Sequence, residues 1–148
     1  MTPHRGLSLL FAVVCLMSSC AAQVTAPRDS DTDFVWKAGS LATLDVLKAK
    51  KDEPCPTVGL DGIPDAWVTE ADLPQLMALL DSTDPCANVF SLYSSFRDCR
   101  ASTVGHEAAF IIEGFRKGRY PPELNSGQAD LNIEEIKIWW THRTELRQ

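Results

Sequence analysis

The stretch Ser102–Pro122, STVGHEAAFIIEGFRKGRYPP, constrains the fold of this chain more than any other. Ser102 or Thr103 offers a hydroxyl to the free amides of a first helical turn. Val104, Ala108, Ile111, Ile112 and Phe115 recur at helical spacing, with Phe110 beside them. Gly105, Ala108 and Ala109 are small enough to let a neighbouring helix come close. Arg116 and Lys117 suit the negative end of a helix, Gly118 suits the residue after it, and Pro121-Pro122 bars continuation. The spacing predicts a helix over 103–117. A chain that builds it must cover its apolar face with other elements.

The neighbouring segments read as helices placed for that purpose. Ser40 can cap a helix carrying Leu41, Leu44 and Leu47, with Lys48, Lys50 and Lys51 at its end. Residues 68–81 carry Thr69 and Asp72 at capping-box spacing and a Leu73, Leu76, Met77, Leu80 stripe. Pro85 opens a predicted helix over 86–96, with Val89, Leu92, Tyr93 and Phe96 on one face. Asn132 and Glu135 open a last helix over 133–147, bearing Ile133, Ile136, Trp139 and Trp140. Residues 52–67 hold three prolines and two glycines and read as a long loop.

The N-terminus is of another kind. Arg5 precedes an apolar run from Leu7 to Met17, and small residues follow. That layout is a secretory signal peptide, too short to span a bilayer. Leu16-Met17-Ser18-Ser19-Cys20 resembles a bacterial lipobox. The resemblance implies cleavage after residue 19 and lipid on Cys20; the alternative is soluble secretion with cleavage near Ala21 or Ala22. Ala21 after the cysteine, by resemblance to Gram-negative lipoproteins, implies outer-membrane anchoring with the domain facing the periplasm. The expected organisation is a signal peptide (1–19), a flexible tether (20–33) and one domain (34–148). Asp29, Asp31 and Asp33 begin like a calcium loop, but Phe34 stands where its glycine belongs. No cofactor or metal is expected.

Removing residues 1–19 takes away Arg5 and no acid, which leaves 13 basic against 20 acidic residues, a net charge of −7. Such a chain has no electrostatic footprint for nucleic acid. In an oxidising compartment Cys55, Cys86 and Cys99 allow one bridge. A helix over 87–96 would hold Cys86 and Cys99 about 15 Å apart, beyond disulfide reach. A return of that helix past the 52–67 loop predicts Cys55–Cys99, with Cys86 free.

The sequence thus reads as all-α, about five short helices packed as antiparallel hairpins. DLPQLMALLDS and TVGHEAAFIIEGFR resemble helical hairpins of HEAT or armadillo type, and the closing EEIKIWW resembles the end of a group of small uncharacterised bacterial lipoproteins. That resemblance transfers no catalytic residues. His106-Glu107 lacks the second histidine of a zinc-protease motif, since Phe110 stands there. No nucleophile elbow or phosphate loop occurs. The expectation is therefore not an enzyme but an outer-membrane lipoprotein whose domain binds an envelope protein, as an immunity or scaffold protein. Arg116, Arg119, Tyr120 and Trp140, with Trp139, form the expected contact set. The alternative is a small envelope hydrolase using His106 and Glu107.

Overall fold

Thr103 caps α3 (Val104–Lys117) by accepting the His106 amide at 3.3 Å, and Gly118 ends it in the left-handed conformation at φ 65°. The helix is buried from Val104 to Ile112 apart from half-buried His106, and it packs against helices on several sides. Gly105 explains one close approach. Its amide donates to Ser82 O at 3.1 Å, and a methyl group there would press into the carbonyl oxygens of Leu80 and Ser82.

The computed structural model describes Trp36, residues 39–60, 62–64 and 66–146. The expected signal peptide, Cys20 and the tether lie outside the described residues. Around α3 stand α1 (Ser40–Ala49), α2 (Leu73–Ala78) and α4 (Ile133–Glu145). Leu44, Leu47, Leu73, Leu76 and Ile136 bring their apolar faces to the common core. Asn132 caps α4 by accepting the Glu135 amide at 3.1 Å. Asp72 accepts hydrogen bonds from the amide and hydroxyl of Thr69 at 2.8 and 2.9 Å, so the start of α2 is fixed by two short polar residues. Two expected boundaries move. Gly39, at φ 100°, precedes α1 without a side-chain cap, and Ser40 is its first, buried residue. Helix α2 spans six residues rather than the whole of 68–81.

The rest of the architecture corrects the all-α expectation. Strand β1 (Thr57–Gly59) pairs in parallel with β3 (Asn88–Phe90), and β2 (Pro85–Cys86) pairs antiparallel with β4 (Ser102–Thr103). The fold is mixed α/β, with four helices and two small sheets among the described residues. No helix forms over 86–96, so the segment 68–81 has no helical partner there and the HEAT or armadillo likeness fails. The reason is backbone pairing. Asn88 donates its amide to Pro56 O at 2.8 Å and Leu60 donates to Phe90 O at 2.9 Å, bonds a helix over 86–96 would forfeit. Asn88 and Val89 are both buried, so the strand lacks the period-two alternation that would mark it.

Candidate functional site

The bridge between Cys55 and Cys99 is formed, with Cα atoms 4.4 Å apart, and Cys86 is free and buried. It ties the chain leaving β3 to the residue pair before β1. Three side chains, those of Asn88, Arg97 and Asp98, fix the same segment. The Asn88 side-chain amide donates to Asp98 O at 2.7 Å and to Arg100 O at 2.9 Å. Arg97 donates to the Thr57 hydroxyl and lies over the Phe90 ring, 4.9 Å from its centre. Asp98, itself buried, accepts from the Arg100 guanidinium, which holds its carboxyl below the usual range.

Between these anchors the chain turns outward. Ser94 donates its amide to Ser91 O at 2.9 Å and its hydroxyl to Phe96 O at 2.7 Å, which sets the loop's shape. Asn125 donates to Ser94 Oγ at 2.9 Å, and Ser91 donates to Leu124 O at 2.7 Å. The result is a held loop with large apolar side chains in solvent: Tyr93 is 81% exposed, Leu92 56%, Phe96 51% and, across from them, Leu124 56%. Phe96 and Leu124 also line a cleft of about 510 Å³ whose walls include Lys117, Glu123 and Asp130. Large apolar side chains exposed on a fixed loop make this the candidate surface for contact with another molecule.

This surface is absent from the expected contact set. Leu92, Tyr93 and Phe96 stand on this loop and not on one face of a helix over 86–96. The available signal was serine: Ser91, Ser94 and Ser95 break a helix by competing for its backbone, and here Ser91 and Ser94 build the turn. The expected contact residues stand elsewhere and are engaged within the domain. Arg116, with its side chain 20% exposed, pairs with Glu113 and Glu135 at 2.8 Å and lies over Trp139. Arg119 donates to Pro122 O at 2.9 Å. Tyr120 meets Trp67 edge-on, ring centres 5.2 Å apart, and burial raises its phenol above the usual range. Trp140 is half-buried beside Trp139, ring centres 6.2 Å apart.

His106 and Glu107 converge on one residue, Ser126, in a short 3-10 turn (Ser126–Gln128). His106 donates from Nε2 to Ser126 O at 2.7 Å, since a carbonyl can only accept. Glu107 is fully buried, with Oε1 2.8 Å from Ser126 Oγ and Oε2 without a partner among the described residues. Burial pushes its carboxyl up to about 7, against the pull of the Ser102 and Ser126 hydroxyls and the Val89 amide. His106 and Ser102 line a polar cleft of about 300 Å³ with Asn88, Asp98 and Arg100, but Glu107 does not line it. These contacts bind a turn to the core. Among the described residues no group of His, Cys, Asp or Glu is placed to hold a metal ion, and no helix is long and apolar enough to cross a membrane.

Comparison with protein families, with curated proteins and with solved structures returns no match. The mixed fold contradicts the HEAT-like expectation, and nothing supports the likeness to small uncharacterised bacterial lipoproteins.

Proposed function

We propose that this is an exported domain that binds another protein of the cell envelope through the surface formed by Leu92, Tyr93, Phe96 and Leu124. The observation that carries the reading is the exposure of these four side chains on loops fixed by a disulfide and by buried hydrogen bonds. Such fixing reduces the ordering entropy that binding would otherwise cost. The Cys55–Cys99 bridge also suits an oxidising compartment. Anchoring by lipid on Cys20, at the periplasmic face of the outer membrane, belongs to the same proposal and rests on Leu16–Cys20 alone. An immunity or scaffold role is the form it would take there.

Charge describes the partner. The cleft beside the apolar patch carries Glu123 and Asp130 against one cation, Lys117, which is paired with Glu123 at 2.9 Å. The whole chain has a net charge of −6. A protein with a basic rim around an apolar contact fits this surface.

A photo-crosslinker at Tyr93 should capture a discrete partner from intact envelopes, while one at exposed Ile138 on α4 should not. Tyr93→Asp should weaken that complex by about 2 kcal/mol, roughly thirtyfold, with the unfolding midpoint unchanged. Capture that is equal at both positions, or insensitive to Tyr93→Asp, would reject this surface. Labelled palmitate that is retained after Cys20→Ala would reject the anchor.

A further inference from the structure

We propose that the protonated carboxyl of Glu107 is a latch that holds the Leu124–Gln128 segment on the outer edge of β3, and that its ionisation lets the segment open. The latch itself stands on hydrogen-bond geometry. Its consequence rests on the docking reading above, because Leu124 is one side of that surface.

Strand β3 uses Asn88 and Phe90 to pair with β1, so the amide and carbonyl of Val89 face the other way. Ser126 takes the place of a neighbouring strand there. Its Oγ lies 2.9 Å from Val89 N, 3.2 Å from Val89 O and 2.8 Å from Glu107 Oε1. Leu124 O and the bridge between Phe90 and Asn125 continue the pairing along the strand.

A serine hydroxyl has one proton to give and two lone pairs to receive with. Ser126 Oγ accepts the Val89 amide. Val89 O and Glu107 Oε1 both lie within reach of its single proton. If Glu107 is protonated, its O–H donates to Ser126 Oγ and the Ser126 proton goes to Val89 O, so all three contacts are hydrogen bonds. If Glu107 is ionised, the hydroxyl proton turns to the carboxylate, whose Oε2 then carries charge fully buried and without a hydrogen-bond partner among the described residues.

The surroundings offer an anion dipoles but no cation: the Ser102 and Ser126 hydroxyls and the Val89 amide of β3 favour the charged form, and burial outweighs them. Strand β2 faces it with the Cys86 thiol, which burial and Glu107 together push up to about 12, so the thiol stays neutral. Helix α1 brings Lys48 toward this region, but Lys48 pairs with Asp45 at 3.3 Å. Strand β4 brings only the Ser102 hydroxyl. On α3 itself His106 is turned to Ser126 O, and behind the turn Asp98 lies against Gly127 with its charge held by Arg100. No ion pair reaches Glu107 among the described residues. As pH rises, the proton leaves to water, and displacement of the Ser126 turn brings solvent to the carboxylate.

Amide exchange of the full chain tests this. The Val89 and Ser91 amides should open independently of the core and exchange faster than the Ile112 amide deep in α3. Their opening constant, corrected for intrinsic base catalysis, should rise roughly 70-fold from about pH 5 to about pH 8. Glu107→Gln, which keeps shape and loses the charge, should flatten that rise. Ser126→Ala should raise opening at both pH values. Exchange of Val89 and Ser91 no faster than Ile112 overturns the latch, as does a pH rise that persists in Glu107→Gln. These readings do not involve Tyr93, so a docking surface that fails the crosslinking test leaves the latch result to stand or fall alone.

Discussion

Replacing Cys55 and Cys99 together by alanine should lower the unfolding free energy by about 4 kcal/mol. The bridge closes 44 residues of chain, and opening it returns that loop's freedom to the unfolded state. Domains of this size are stable by only about 5–15 kcal/mol, so the loss is a large share of the total. The loop from Leu92 to Phe96 should loosen first, since only non-covalent contacts from Asn88, Arg97, Ser91 and Asn125 would then hold it. Cys86 offers no replacement: it is buried and its thiol is pushed up to about 12, which keeps it from attacking. Urea unfolding of the double variant measures the effect. A loss under about 1 kcal/mol would mean that the bridge is incidental to stability.

The second large effect is the dependence of stability on pH. Glu107 has its folded carboxyl raised from 4.5 to about 7. Between those values the folded state holds a proton that the unfolded state releases. The stabilisation is full below 4.5 and disappears as pH rises through 7, on the order of 3 kcal/mol in all. Asp98 and Glu123 are shifted the other way, by Arg100 and Lys117, and titrate below this window. Unfolding at about pH 5 and about pH 8 should therefore show the wild type weaker at the higher value. Glu107→Gln should remove most of that difference and be the more stable protein above neutrality. An identical pH dependence in the variant would place the titration on another group. This measurement reads whole-molecule unfolding, whereas the exchange of Val89 and Ser91 reads the turn.

The disulfide shows how a correct pairing can come from an incorrect structure. Cys55–Cys99 was expected because a helix over 87–96 would separate Cys86 from Cys99. That segment is instead strand β3 followed by a serine-built turn. What brings the two cysteines together is the parallel register of β1 and β3, which sets Pro56 beside Asn88, and the Asn88 amide, which draws the 98–100 backbone back to the same place.

What the sequence determined by itself was local. Helices α3 and α4 follow from residues within one turn of their ends: Thr103 and Gly118 for the first, Asn132 and Glu135 for the second. A cap and its amide are three residues apart, so their geometry needs nothing from the rest of the chain. Tertiary structure decided the rest. Three residues such as Thr57–Gly59 or Asn88–Phe90 have too little periodicity to read, and each becomes a strand because the other satisfies its backbone. The same holds for Glu107. Its place near the positive end of α3 suits an acid but does not fix its burial. It is buried because Ser126, 19 residues away, lies against it, and the charge it would carry is set by that distant contact.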